Sequence, residues 1–124
     1  MREIKFRQPI FDTNGVFEKW HYWGLFDVGG NFEYTPPTER HYLEFSKLTD
    51  PLDSQQFTGL HDKNGKEIYE GDIVMFWGGI GKVIYFDAYA SFKIQYTEND
   101  MADLNLNSHE ILGNIYENPE LLNQ

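Results

Sequence analysis

Punctuation constrains this chain more than any other feature. From Phe57 onward, short apolar stretches are interrupted at close intervals by Gly, Asn and Asp. Residues 57–60 lead into Asp62-Lys63-Asn64-Gly65. Residues 66–69 lead into Glu70-Gly71-Asp72, residues 73–77 into a run of glycines, and residues 82–86 and 92–96 follow. Residues 111–116 end the series. Short strands at this spacing, joined by Gly and Asn turns, point to a mainly β fold built as a small SH3-like barrel or a strongly bent sheet. Composition agrees. The chain has three alanines against 17% aromatic residues, a balance that disfavours an all-helical protein and favours sheet.

The first half is less regular. Residues 2–7 alternate, with Ile4 and Phe6 on one face and Glu3, Lys5 and Arg7 on the other, which reads as a half-buried strand ended by Pro9. Asp12-Thr13-Asn14-Gly15 reads as a type I′ hairpin turn. A return strand follows from Val16 to Trp23. Gly24, Gly29, Gly30, Pro36 and Pro37 break up the next stretch and leave residues 31–35 to be extended. Thr38 is placed to cap one short helix carrying Tyr42, Leu43, Phe45 and Leu48, although His41, Leu43 and Phe45 also fit the face of a strand. Gly78 to Gly81 reads as a flexible link, residues 98–108 as a polar loop, and Asn118-Pro119 as the start of a terminal helical turn. At 124 residues the expectation is one domain, 1–124, with an N-terminal part, 1–56, and a barrel-like core, 57–124.

Three segments carry a resemblance. They are the opening Arg2-Glu3-Ile4-Lys5-Phe6-Arg7, the long run from Phe57 through Gly59-Leu60-His61-Asp62-Lys63-Asn64-Gly65 to Tyr69-Glu70-Gly71-Asp72-Ile73-Val74, and Ile111-Leu112-Gly113-Asn114-Ile115-Tyr116-Glu117-Asn118-Pro119. Together they resemble the YopX family of bacteriophage and prophage proteins. The resemblance implies a small, mostly β phage protein with a barrel. It carries no catalytic residue, metal ligand or cofactor onto these positions. Asp62, Asn64, Gly65, Gly71, Asp72 and Gly113 are accordingly read as a structural turn motif, with Gly113 marking a bulge or a close backbone approach.

Charge and chemistry narrow the function. Ten Lys and Arg against twenty Asp and Glu leave a net charge of -10. Such a surface is poorly suited to nucleic acid, whose binding needs basic groups to displace phosphate counterions. There is no cysteine, so disulfides and thiolate sites are excluded. No catalytic, metal-ligating or cofactor-binding pattern is present. Gly79-Ile80-Gly81-Lys82 lacks the upstream Gly and the following Ser or Thr of a phosphate loop. His21, His41, His61 and His109 form no ligand-spaced pair. No apolar run approaches the roughly 20 residues of a membrane-spanning helix. The expectation is a non-catalytic accessory protein of the host cytoplasm that forms a homo-oligomer and contacts a host or phage protein. Trp20, Tyr22, Trp23 and Phe26 are the candidate interaction surface. The alternatives are a nucleic-acid-binding small barrel, and an acidic mimic of DNA built on Glu98, Asp100, Asp103, Glu110, Glu117 and Glu120.

Overall fold

A computed structural model describes residues 3–12, 14–37, 54–76, 79–105 and 108–123. The helix or strand expected near residues 38–48 lies outside the described residues. Ten strands are present among the described residues: β1 Ile4–Phe11, β2 Phe17–Val28, β3 Asn31–Thr35, β4 Gln55–His61, β5 Glu67–Tyr69, β6 Asp72–Phe76, β7 Gly79–Phe86, β8 Ser91–Gln95, β9 Met101–Asp103 and β10 Glu110–Asn114. Two short 3-10 turns, Asp87–Tyr89 and Pro119–Asn123, also occur among the described residues. The chain divides into two compact units, residues 1–57 and 58–124.

In the first unit, β2 is flanked by β1 and β3, all antiparallel. β1 runs through Pro9 rather than ending there. Pro9 sits opposite Trp20 of β2, and β4 pairs with β1 only at Phe6 and Arg7. Among the described residues, the side of β1 away from β2 therefore has no ladder at Pro9, where a missing N–H costs nothing. β2 likewise continues through Gly24 to Val28. Gly29 and Gly30, both at positive φ, then form a two-residue hairpin into β3, whose bounds are those expected.

In the second unit, the end of β4 neighbours β5, and five strands form an antiparallel sheet in the order β10-β6-β7-β8-β9. Ile68, Val74, Phe76, Val83 and Ile94 make its buried core, with Leu60, Phe92, Ala102, Leu104 and Ile111 packed against them. Each such side chain contributes about 1.5–3 kcal/mol by leaving water. Mainly β holds, but the closed barrel does not: β10 and β9 are the two ends of the sheet and are not paired with each other among the described residues. The outer edge of β10 is instead occupied by the Asp62-Lys63 segment. The N–H of Lys63 donates to the His109 carbonyl (2.7 Å), and that of Ile111 donates to the Asp62 carboxylate (3.1 Å).

Several local expectations change for physical reasons. Gly79 to Gly81 is strand, not link, because Phe76, Met75 and Val74 pair with Gly79, Ile80 and Gly81. In β6, Met75 is exposed between buried Val74 and Phe76. The polar segment 98–108 contains β9, which pairs with β8. Asn118 does not cap the terminal turn with its side chain. Its Oδ1 accepts the N–H of Asn114 (3.3 Å).

Gly81 shows how tightly the second sheet is packed. A Cβ added there would overlap Ile94 and stand 2.9 Å from the carbonyl oxygen of Gln95. Gly81→Ala is expected to destabilise the protein by about 1–3 kcal/mol, since a crowded core does not absorb an extra methyl freely. Chemical denaturation checks this, and an unchanged midpoint would refute the packing account.

Candidate functional site

Two constellations follow from the strand layout. The first is centred on Asp62, which opens the hairpin between β4 and β5. Asp62 is 1% exposed. Its Oδ1 accepts the N–H groups of Asn64 and Lys66, each at 2.9 Å, and its Oδ2 accepts that of Ile111. The backbone adds a bond from Asp62 N–H to the Lys66 carbonyl (2.8 Å) and one from Gly65 N–H to the Asp62 carbonyl (3.0 Å). The turn is not type I′. Asn64 is absent from the positive-φ residues, and only Gly65 (φ 85°) takes the left-handed conformation. An aspartate that accepts two turn N–H groups stabilises a three-residue loop with Gly at its end. Asp12 builds the same turn between β1 and β2, accepting from Asn14 (2.8 Å) and Val16 (3.0 Å).

The other motif residues continue this network. Asp72, also 1% exposed, accepts the N–H of Tyr69 (2.8 Å) and closes the bend at Gly71. Gly71 itself donates to Val83 (2.8 Å) and accepts from Ile115 (3.0 Å). Gly113 lies at a register shift in β10, and a Cβ there would overlap the Asn118 side chain. Asp62, Asn64 and Gly65 lie in the β4–β5 turn, Gly71 and Asp72 at the β5–β6 bend, and Gly113 at the register shift of β10.

His109 is the buried group that sequence reasoning did not single out. It is 4% exposed, next to the β10 edge, and its Nε2 accepts the N–H of Asn105 (2.9 Å). That bond makes Nε2 the unprotonated nitrogen and leaves the proton on Nδ1, which has no hydrogen-bond partner of good geometry. Burial lowers the pKa of His109, opposed by the nearby Met75 backbone. A ring already committed to Asn105 is not available as a base for the adjacent Ser108. Near it, Lys63, Met75, Phe76, Ser108 and Glu110 line an open hollow of about 200 Å³, in which Lys63 and Glu110 stand 3.8 Å apart. Among the described residues no three His, Asp or Glu side chains gather in a metal-holding group.

The second constellation is the aromatic face of the first unit. Strand alternation places Trp20, Tyr22 and Phe26 on one side of β2 and Trp23 on the other. The four rings therefore do not make one surface. On the first side, the Arg7 guanidinium lies 4.1 Å from the centre of the Trp20 ring, and the Lys5 ammonium lies about 5 Å from both Tyr22 (5.1 Å) and Phe26 (5.0 Å). Arg7 is 6% exposed and bonds Gln55 Oε1 at 2.8 Å, so it is buried rather than part of a basic edge. On the other side, Trp23 stacks on Phe6 at 4.4 Å and donates to the Ser54 hydroxyl (2.8 Å). Ile4, Leu25 and Tyr34 form a row across three strands on that side. Ile4 and Tyr34 are exposed, as is Phe32 beside them.

The acidic positions in the second unit do not stand as a row of free charges. Asp103 is held by Lys93 at 2.6 Å, and the hydrogen bond to that ammonium is the chief cause of its lowered pKa. Glu110 has Lys63 beside it, Asp100 accepts from the Thr97 hydroxyl (2.7 Å), and Glu117 accepts from Asn114 (2.8 Å).

Comparison with known proteins agrees with the sequence resemblance. The model of a family described as YopX protein matches residues 28–123, from the end of β2 to the terminal turn. The chain belongs to the YopX family, and so to a class of phage-associated proteins. The opening strand lies outside the matched residues. A crystal structure of protein EF1440 from Enterococcus faecalis is similar over 96% of this chain and 97% of that one, with 25% identity and a TM-score of 0.50. No curated protein matches.

Two predictions follow. Burial pushes the Asp62 carboxyl up, but the N–H groups of Ile111, Lys66 and Asn64 outweigh it and hold its pKa below the ordinary aspartate value. A depressed folded pKa contributes stability above the unfolded value of about 3.9, and this is lost as pH falls through the folded pKa. Asp62→Asn presents an amide NH₂ where an N–H needs an acceptor. It is expected to cost about 1–3 kcal/mol at pH 7 and to flatten the acid limb of stability against pH. For His109 the folded pKa is also depressed, so the neutral ring favours the folded state. Its contribution is complete above the unfolded pKa of about 6.5 and is lost as pH falls below that value toward the folded pKa. Denaturation midpoints should fall over that window in the parent protein and not in His109→Gln. Parallel profiles would contradict the assignment.

Proposed function

We propose that this chain is a non-catalytic accessory protein of phage or prophage origin that acts through protein–protein contact, self-assembly included, in the cytoplasm of the host cell. The observation that carries this reading is the apolar side of the first sheet. Ile4 is 50% exposed and Tyr34 66% exposed, with Leu25 and Trp23 between and beside them. A contiguous apolar patch of this kind is the usual mark of a contact surface. Three of the carboxylates have structural duties: Asp12, Asp62 and Asp72 accept backbone N–H groups. A nucleic-acid reading has to rest on the bases of the opening strand, and Lys5 and Arg7 lie over aromatic rings. A DNA-mimic reading needs unpaired acids, and Asp103 and Glu110 have lysine partners.

Light scattering, combined with affinity capture from a lysogenic host, tests the reading. The expected result is a mass of at least two chains, or a stoichiometric retained protein, diminished in the Ile4→Ser, Tyr34→Ser double variant. A single-chain mass with nothing retained would overturn it.

A further inference from the structure

The exposed tip of the Asp62 turn carries chemistry that the turn itself does not use. Asn14 and Asn64 are the asparagines that precede a glycine, and both stand exposed in turns of the same build. Asparagine is a thermolabile residue. The backbone nitrogen of the next residue attacks its side-chain carbonyl carbon, and glycine obstructs that attack least because it has no Cβ. At Gly15 and Gly65 even an added Cβ would meet nothing within 4 Å. Both sites are sterically open.

The two turns differ in what depends on them. The Asp12 carboxylate accepts N–H groups of its own turn, those of Asn14 and Val16. The Asp62 turn also holds β10. Ile111 donates to the Asp62 carboxylate, Lys63 donates to the His109 carbonyl, and Asn64 Nδ2 donates to Glu110 Oε2 at 3.5 Å. A carboxylate in place of the Asn64 amide removes that last donor and stands against Glu110, where like charges repel. A main chain rerouted through the side-chain carboxyl adds a methylene to the loop. The bonds from Asp62 N–H to the Lys66 carbonyl and from Gly65 N–H to the Asp62 carbonyl fit the present length.

We infer that Asn64 is a site of spontaneous deamidation whose modification loosens the edge of β10, whereas modification of Asn14 leaves that edge unchanged. The Gly65 nitrogen bonds to Asn64 Cγ and gives up its proton through solvent. The Cγ–Nδ2 bond breaks, and Nδ2 leaves as ammonia with a proton from solvent. Water then opens the cyclic imide at either carbonyl, giving aspartate or isoaspartate. Neither oxidant nor cofactor takes part. The bond from Gly65 N–H to the Asp62 carbonyl must open first, so the turn that carries the site also sets its pace. This inference stands apart from the interaction reading.

The test incubates the full chain in mildly alkaline buffer beside Asn14→Ser and Asn64→Ser, and maps the peptides by mass. Each event makes the chain about 1 Da heavier. In Asn14→Ser the gain is expected at Asn64, with an equal amount of ammonia, and with hydrogen exchange at the Lys63 and Ile111 amides faster by about tenfold. In Asn64→Ser the gain is expected at Asn14, with exchange at those two amides unchanged. Unaged Asn64→Asp is expected to move the same two amides in the same direction. An unchanged mass at Asn64 would overturn the inference. So would a gain there that leaves the Lys63 and Ile111 amides as protected as before, or a loss of protection that appears equally in aged Asn64→Ser.

Discussion

The carboxylate of Asp62 holds together more of the second unit than any other single group described. Three backbone N–H groups converge on it, two from its own turn and one from β10, which lies 49 residues further along the chain. A local hairpin and a distant strand are thereby fixed by one buried anion. The arrangement also explains why the sheet stops where it does. An edge N–H that a closing strand would use is already satisfied by Asp62, and the adjacent carbonyl of His109 is satisfied by Lys63. The edge of β10 is capped by a turn, so its backbone polar groups are paired without a barrel being closed.

How far the sequence is legible depends on whether a signal is local. Asn64-Gly65, Glu70-Gly71-Asp72 and the 31–35 strand are local, because turn chemistry and alternation act over a few residues. The type of turn at Asn64-Gly65 is less so. Asn-Gly alone suggests two left-handed residues, whereas the aspartate two places earlier accepts the turn N–H groups and leaves only Gly65 left-handed. Gly79 to Gly81 misleads for the opposite reason. Glycines usually break strands, but Gly81 is required where Ile94 and the Gln95 backbone approach too closely for any side chain. Pro9 in β1 is tolerated because of what does not pair with it. Neither fact is visible until the partner strand is placed. His109 escapes notice since a lone histidine has no pattern. Its burial and its bond to Asn105 arise only from folding.

The aromatic residues of the first unit illustrate a related limit. Composition makes Trp20, Tyr22, Trp23 and Phe26 look like one cluster, yet a period of two separates Trp23 from the rest. Each side then finds its own partners. On one, Lys5 and Arg7 lie over the rings, an arrangement worth about 0.5–2 kcal/mol per cation depending on exposure. On the other, Phe6 and Ser54 fix Trp23. The alternation of charge and apolar residues in the opening strand is thus a packing code, with the cations serving as covers for aromatic faces. Tyr22 and Val28 stay partly exposed on the first side, and Ile4, Phe32 and Tyr34 on the other.

The acidity acquires a cause in the same way. A chain of short strands needs many turns, and turns leave backbone N–H groups without ladder partners. Aspartate is an effective acceptor for them, because its anion takes two or more N–H groups at once. Asp12 and Asp62 do this, and Asp27 and Asp72 accept the N–H groups of Gly30 and Tyr69. Part of the net charge of -10 is therefore a consequence of the fold rather than a surface selected for a ligand.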